Sequence, residues 1–179
     1  MELDESEPKP VGNGVLNTTL PAAQGWSNED LIKSSVSRSF AQFVKNDTLD
    51  SWVGTLNRIN YQNMYMVYVH EANPSLTVDG TRLTDEERVL TVSKGWNNIA
   101  CLIDEVTPVA EALADYYDKA TEGDLIKSKN AVAVFSHDGK WVGSLTHLRP
   151  GEGYLFRRYG EGAVPLVLQQ GAQSTSDAI

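Results

Sequence analysis

Two aspartate–lysine pairs stand at the same spacing, Asp30 with Lys33 and Asp124 with Lys127. At that separation the charges can form a surface ion pair, worth little in stability, or the aspartate can cap a turn. Acid catalysis beside a lysine needs a third partner, and none is apparent in the sequence. Hydrolysis of polysaccharide or peptidoglycan takes two carboxylates facing each other across a cleft. Asp124 with Glu152, and Asp85 with Glu105, are the pairs suited to that role. His70, His137 and His147 follow no ligand spacing such as two histidines at i and i+4 of a helix. A hairpin would either bring His137 and His147 together for zinc or leave them on solvent-facing turns. Asn46-Asp47-Thr48-Leu49-Asp50 gathers carboxylates in a loop but lacks the glycine and terminal glutamate of a calcium loop. Cys101, the one cysteine, lies in the apolar run Ile99 to Ile103 and reads as a small buried hydrophobe. There is no Gly-x-Ser-x-Gly elbow, phosphate-binding loop or dinucleotide fingerprint. No cofactor and no metal are expected.

These residues sit inside a larger pattern. Asp30-Leu31-Ile32-Lys33-Ser34 returns as Asp124-Leu125-Ile126-Lys127-Ser128, and Trp52-Val53-Gly54-Thr55-Leu56 returns as Trp141-Val142-Gly143-Ser144-Leu145. After each second block come an apolar residue (Ile59, Leu148) and then a tyrosine (Tyr65, Tyr154) at equal spacing. An internal repeat in this order decides how the whole chain is read. The recurring aromatic residues Trp52, Tyr65, Trp141 and Tyr154 are the candidate ligand-binding set. Each tryptophan is either core, with its indole N–H paired to a carbonyl, or a platform on which a sugar stacks. The segment Tyr61 to Tyr68 alternates Met64, Met66 and Tyr68 on one face with Tyr65 and Val67 on the other. It is a central buried strand if both faces are covered, and a contact surface for a glycan or a protein if one is not.

Strands are expected at Phe40 to Val44, Met64 to His70, Leu76 to Val78, Val89 to Val92, Asn98 to Leu102, Ala131 to Phe135 and Tyr154 to Arg157. The two Trp-x-Gly-x-Leu blocks add one strand each. Asp138-Gly139 and Val78-Asp79-Gly80-Thr81 are turn signals. One helix is predicted near 108–118, with Thr107 as N-cap, Pro108 in the first turn, and Val109, Ala110, Leu113, Tyr116 and Tyr117 on one face. Gly25-Trp26-Ser27-Asn28 echoes Gly95-Trp96-Asn97-Asn98, yet the first half has no counterpart of this helix. The echo is either the remnant of a deleted helix or a coincidence.

Leu90 to Ala100, then Gly123 to Ser128, Trp141 to Leu145 and Leu148 to Tyr154 together resemble a repeat of large secreted and surface proteins of Bacteroidetes and related bacteria. Its pattern is a strand, Gly-Trp-Asn-Trp-Ile, a helix, Gly-Asp-x-Ile-Lys-Ser, Trp-x-Gly-x-Leu and Pro-Gly-x-Gly-Tyr. The likeness covers about 88 to 158, and 25 to 70 in degraded form. Asn98 replaces the second tryptophan, and Tyr61-Gln62-Asn63-Met64 stands where the second half has Pro150-Gly151-Glu152-Gly153. The resemblance implies an extracellular or cell-surface location and no known catalytic activity.

The 179 residues are 41% hydrophobic, enough for one core or two small ones, and the net charge of −9 argues against binding nucleic acid through its phosphates. No run is long and apolar enough for a transmembrane helix. Residues 1 to 11 are acidic and proline-bearing, unlike a signal peptide. The expected organisation is a flexible lead-in (1–20), an incomplete first repeat unit (21–80), a complete second unit (81–168) and a flexible tail (169–179). The fold class is α+β, mainly β, from two related units packed together. The expected function is a non-catalytic extracellular module of a bacterial surface or secreted protein, serving as spacer, in adhesion or in glycan binding. The alternative is a hydrolase domain using a carboxylate pair.

Overall fold

The computed structural model describes residues 9–10, 25–36, 38–46, 50–56, 58–59, 61–71, 84 and 88–170. Strands make up 43% of it and helix 8%, so the protein is α+β and mainly β. The chain divides into two compact units, Met1–Leu83 and Thr84–Ile179.

In the first unit, β1 (Lys9–Pro10) pairs with β5 (Arg58–Ile59), so part of the expected lead-in carries a strand. Its main sheet holds β2 (Leu31–Ser34), β3 (Ser39–Val44), β4 (Ser51–Gly54) and β6 (Tyr65–Tyr68), in the antiparallel order β4-β3-β2-β6. Period-two alternation sends Ile32, Ala41, Phe43 and Trp52 inward, where they meet Trp26 and Leu56.

The second unit has a five-stranded antiparallel sheet. Its members are β8 (Gly95–Ala100), β10 (Leu125–Lys127), β11 (Val132–Phe135), β12 (Trp141–Gly143) and β14 (Gly153–Arg158). The order is β12-β11-β10-β14-β8. Two further ladders pair β7 (Val89–Val92) with β15 (Val164–Val167), and β9 (Thr107–Pro108) with β13 (His147–Leu148). Ile126, Ala133, Tyr154 and Phe156 from the sheet close against Leu113 and Tyr116, with Val92 and Leu166 completing the core.

The predicted helix exists but is short. α1 (Val109–Ala112) gives way at Leu113 to a 3-10 helix over Ala114–Lys119. Thr107 is no N-cap: it lies in β9, and its hydroxyl donates to the Glu105 carbonyl. The buried positions are Val109, Ala112, Leu113 and Tyr116, spaced i, i+3, i+4 and i+7, so Ala112 faces inward in place of Ala110. The predicted tail is also anchored at its start. The Gln169 N–H donates to the Ala112 carbonyl, and the Gln170 side chain accepts from the Asp104 N–H. β15 escapes a reading by sequence because Pro165 removes a ladder donor, which is tolerated where only one neighbour pairs. The strand expected at Leu76 to Val78 and the turn at 78–81 lie outside the described residues.

Candidate functional site

The repeated aspartates are structural knots. Asp30 and Asp124 are both fully buried. In the first unit, Asp30 Oδ2 accepts from the Ser27 N–H at 2.8 Å and Oδ1 from the His70 N–H at 2.9 Å. In the second, Asp124 Oδ2 accepts from the Thr121 N–H at 2.9 Å and Oδ1 from the Tyr159 N–H at 2.7 Å. Each carboxylate thus ties the turn before its own strand to the segment leaving the far edge of β6 or β14. The backbone agrees: the Phe43 N–H donates to the Asp30 carbonyl at 2.7 Å, and the Phe135 N–H to the Asp124 carbonyl at the same distance. The turn-capping role is therefore the one observed, and neither aspartate pairs with its lysine. A third contact differs between the units. Asp30 meets the His70 ring at 2.9 Å, whereas Asp124 accepts from the Tyr116 hydroxyl at 2.8 Å. Burial alone would raise the Asp30 carboxyl, but the Ser27 N–H and His70 outweigh it and hold the group below its ordinary value. Burial, then the bond to Asp124, pushes the Tyr116 hydroxyl well above the tyrosine range.

The repeated glycines are explained by close approach. A Cβ on Gly54 would lie 2.2 Å from the Phe40 carbonyl oxygen, and one on Gly143 2.2 Å from that of Val132. Both adopt positive φ, 141° and 147°. The same two carbonyls accept from the N–H groups of Leu56 and Leu145, which seats each leucine inward.

The candidate aromatic set is core rather than surface. Trp52 is fully buried, edge-on to Trp26 with ring centroids 4.8 Å apart, and Trp141 is half-buried beside Phe135 and Phe156. The expected carbonyl partner is missing: both indole N–H groups are buried without a hydrogen bond among the described residues. Neighbouring rings surround both indoles: Trp26 and Phe43 lie beside Trp52, and Phe135 and Phe156 beside Trp141. Tyr154 is fully buried, accepting from the Arg149 N–H and donating to Glu152, and so pins the turn over 149–152. Burial, reinforced by the Glu152 carboxylate, raises its hydroxyl well above the ordinary value. Tyr65 is half-buried against the first core. Trp26 is also core, on a turn and not a strand, so its echo of Trp96 does not extend to structure.

The chemistry left facing solvent lies on the outer face of the five-stranded sheet. Val142, Val134, Leu125, Arg157 and Trp96 oppose one another in one continuous row across all five strands. A second row runs Val132, Lys127, Leu155 and Asn98. Trp96 is 50% exposed, with Lys127 Nζ 5.0 Å and Arg157 Cζ 5.5 Å from its ring. Arg157 also lies 4.6 Å from the Tyr159 ring, itself 41% exposed. Among the described residues neither cation has a carboxylate partner; their neighbours are rings. Trp96 is the residue the repeat pattern hides, because it has no structural counterpart in the first unit. The alternation along β8, opposite the Arg157 position, is the signal that could have found it.

The first unit presents a comparable face. Val53, Gln42, Leu31 and Tyr68 form one row, with Phe40, Lys33 and Met66 beside it. Lys33 Nζ stands 5.2 Å from the Tyr68 ring. The repeated lysine therefore points outward over an aromatic ring in both units. Among the described residues β6 is an edge strand, with Met66 and Tyr68 exposed, not a strand buried on both faces.

The remaining candidates are dispersed. Asp124 is buried and fully bonded, Glu152 accepts from Tyr154, Glu105 is exposed, and Asp85 lies outside the described residues. His137 meets Glu122 at 3.2 Å on the surface, and His147 meets Thr146 at 3.0 Å. No group of three potential metal ligands occurs among the described residues, and Asp47 to Leu49 of the acidic loop lie outside them. Cys101 is buried and unpaired, its thiol pushed up to about 11 by burial. No described helix is long and apolar enough to cross a membrane. The chain matches no family model, no curated protein and no solved structure.

Proposed function

We propose that this protein is a non-catalytic module of a bacterial surface or secreted protein, and that it engages a glycan or protein through the outer face of its second sheet. One observation carries the reading. Trp96 stands half-exposed on a largely apolar sheet face, with two cations over its ring that have no carboxylate partner among the described residues. An exposed indole on a rigid sheet is costly to leave in water and well suited to stacking. The resemblance to surface-protein repeats supports reading it as an extracellular module, a spacer, adhesion element or receptor for glycan. Asp124 and Glu152, one of the two carboxylate pairs weighed for hydrolysis, are engaged in bonds that hold turns, which favours binding over catalysis for that pair.

A glycan array read by intrinsic fluorescence tests this proposal. The expected result is a hit whose signal Trp96→Ala removes and Trp141→Phe retains. Loss with Trp141→Phe but not with Trp96→Ala would move the site away from this face.

A further inference from the structure

Resting on that reading of the face, we infer that its ligand is an acidic saccharide, a pyranose bearing a carboxylate. Trp96 offers a flat ring for the C–H face of a sugar, and Tyr159 offers a second beyond Arg157. Lys127 Nζ and Arg157 Cζ lie over the indole, 5.0 and 5.5 Å from its centroid, and carry no carboxylate of their own among the described residues. A guanidinium beside a stacking ring is placed to grip a sugar carboxylate with two parallel N–H bonds. Charge complementarity selects the class. The molecule as a whole carries −9, so an extended polyanion such as nucleic acid is repelled, while a single carboxylate meets a local cationic spot. Several other cations of the second unit are already committed: Arg88 to Asp104, Lys94 to Glu161, Lys119 to Asp118, and Arg158 to the carbonyls of Gly160, Glu161 and Gly162. The first unit serves as an internal control. Tyr68 stands where the second unit has Arg157, and among the described residues no strand occupies the place of β8 beyond it.

The test titrates the whole chain with a disaccharide carrying a single glucuronate, sialyllactose, neutral cello-oligosaccharides and a glutamate-rich peptide, following tryptophan fluorescence at low and physiological salt. The two acidic sugars distinguish a uronate from a sialic acid source. The expected result is saturable binding of at least one acidic sugar, weakened at higher salt. Arg157→Gln should lower its affinity ten-fold or more, Lys127→Gln should lower it less, and Trp96→Ala should abolish it. Each variant should keep the wild-type melting curve, because the three side chains lie on the outer face. Equal binding of neutral sugars, still lost in Trp96→Ala, would overturn the acidic class while leaving the glycan-binding face intact. Binding of the glutamate peptide alone would make the face a protein contact and overturn the saccharide. No Trp96-dependent binding of any probe would overturn both readings.

Discussion

The two units bind the same aspartate in the same backbone bonds but cover it differently. In the second unit, Tyr116 and Tyr117 of the 3-10 helix close over the sheet, Tyr116 against Phe156 and Tyr117 against Phe135. In the first, Trp26 arrives on a turn and packs on Phe43, the counterpart of Phe135, and on Trp52. The cover also differs at the sheet edge. β14 is flanked by β8 along six residue pairs, whereas β6 pairs only with β2 among the described residues. Val67, which stands where the second unit has the fully buried Phe156, is 51% exposed. A shared hydrogen-bond frame therefore sets the shape of each sheet, and the unshared apolar cover sets how much surface leaves water, the dominant favourable contribution to stability.

Substitutions can break this comparison at several strengths. Trp52→Ala removes the largest side chain from a core with few other members, and should cost about 4 kcal/mol in denaturant unfolding. Trp141→Ala, half-buried against a larger core, should cost less. Asp124→Asn replaces an acceptor with an amide that turns one donor against another, at about 3 kcal/mol. Asp30→Asn should lose a similar amount if the two knots are equivalent. A loss below about 0.5 kcal/mol would show that only one of them bears strain on removal. Gly54→Ala and Gly143→Ala should each cost on the order of 1–3 kcal/mol, from positive φ and a blocked carbonyl.

The pH response should separate the units. Asp30 has a lowered carboxyl, so its contribution is fully present above its ordinary value of 3.8 and is lost as pH falls below it. Tyr116 has a raised hydroxyl, so its contribution is fully present below 10.0 and is lost as pH climbs above it. Unit-resolved unfolding should therefore show acid loss in the first unit removed by Asp30→Asn, and alkaline loss in the second reduced by Tyr116→Phe, with the raised Tyr154 and Cys101 supplying the remainder. The smallest stability effect belongs to Trp96→Ala, within about 0.5 kcal/mol, because its side chain lies on the open face.

Much of this frame is legible in the chain. The repeated Asp, Trp, Gly, Leu and Tyr each occupy matching places because each answers a local backbone requirement. The glycine admits a carbonyl, the aspartate accepts stray N–H groups, and the leucine turns inward after the glycine. Short apolar runs followed by turn residues locate β3 and β11. What the sequence hides depends on distant partners. The bond from Asp30 to His70 spans 40 positions, and Trp96 gains its cationic neighbour only when β14 sets Arg157 opposite it. Recurrence also misdirects the search for a site, since the aromatics that return in both halves are those the core needs. The helix boundaries shift because Leu113 and Tyr116 follow the surface they pack on, and tertiary packing overrides local propensity.

Native-state hydrogen exchange on the intact chain tests most directly whether cover, and not frame, sets the stability of each unit. The amides of Phe43 and Phe135 make the same bond at the same length, one in each unit. Phe135, with Ile126 and Phe156, should exchange through the slowest opening, and Phe43 should exchange at least ten-fold sooner. Equal protection of the two amides, or slower exchange at Phe43, would contradict the account.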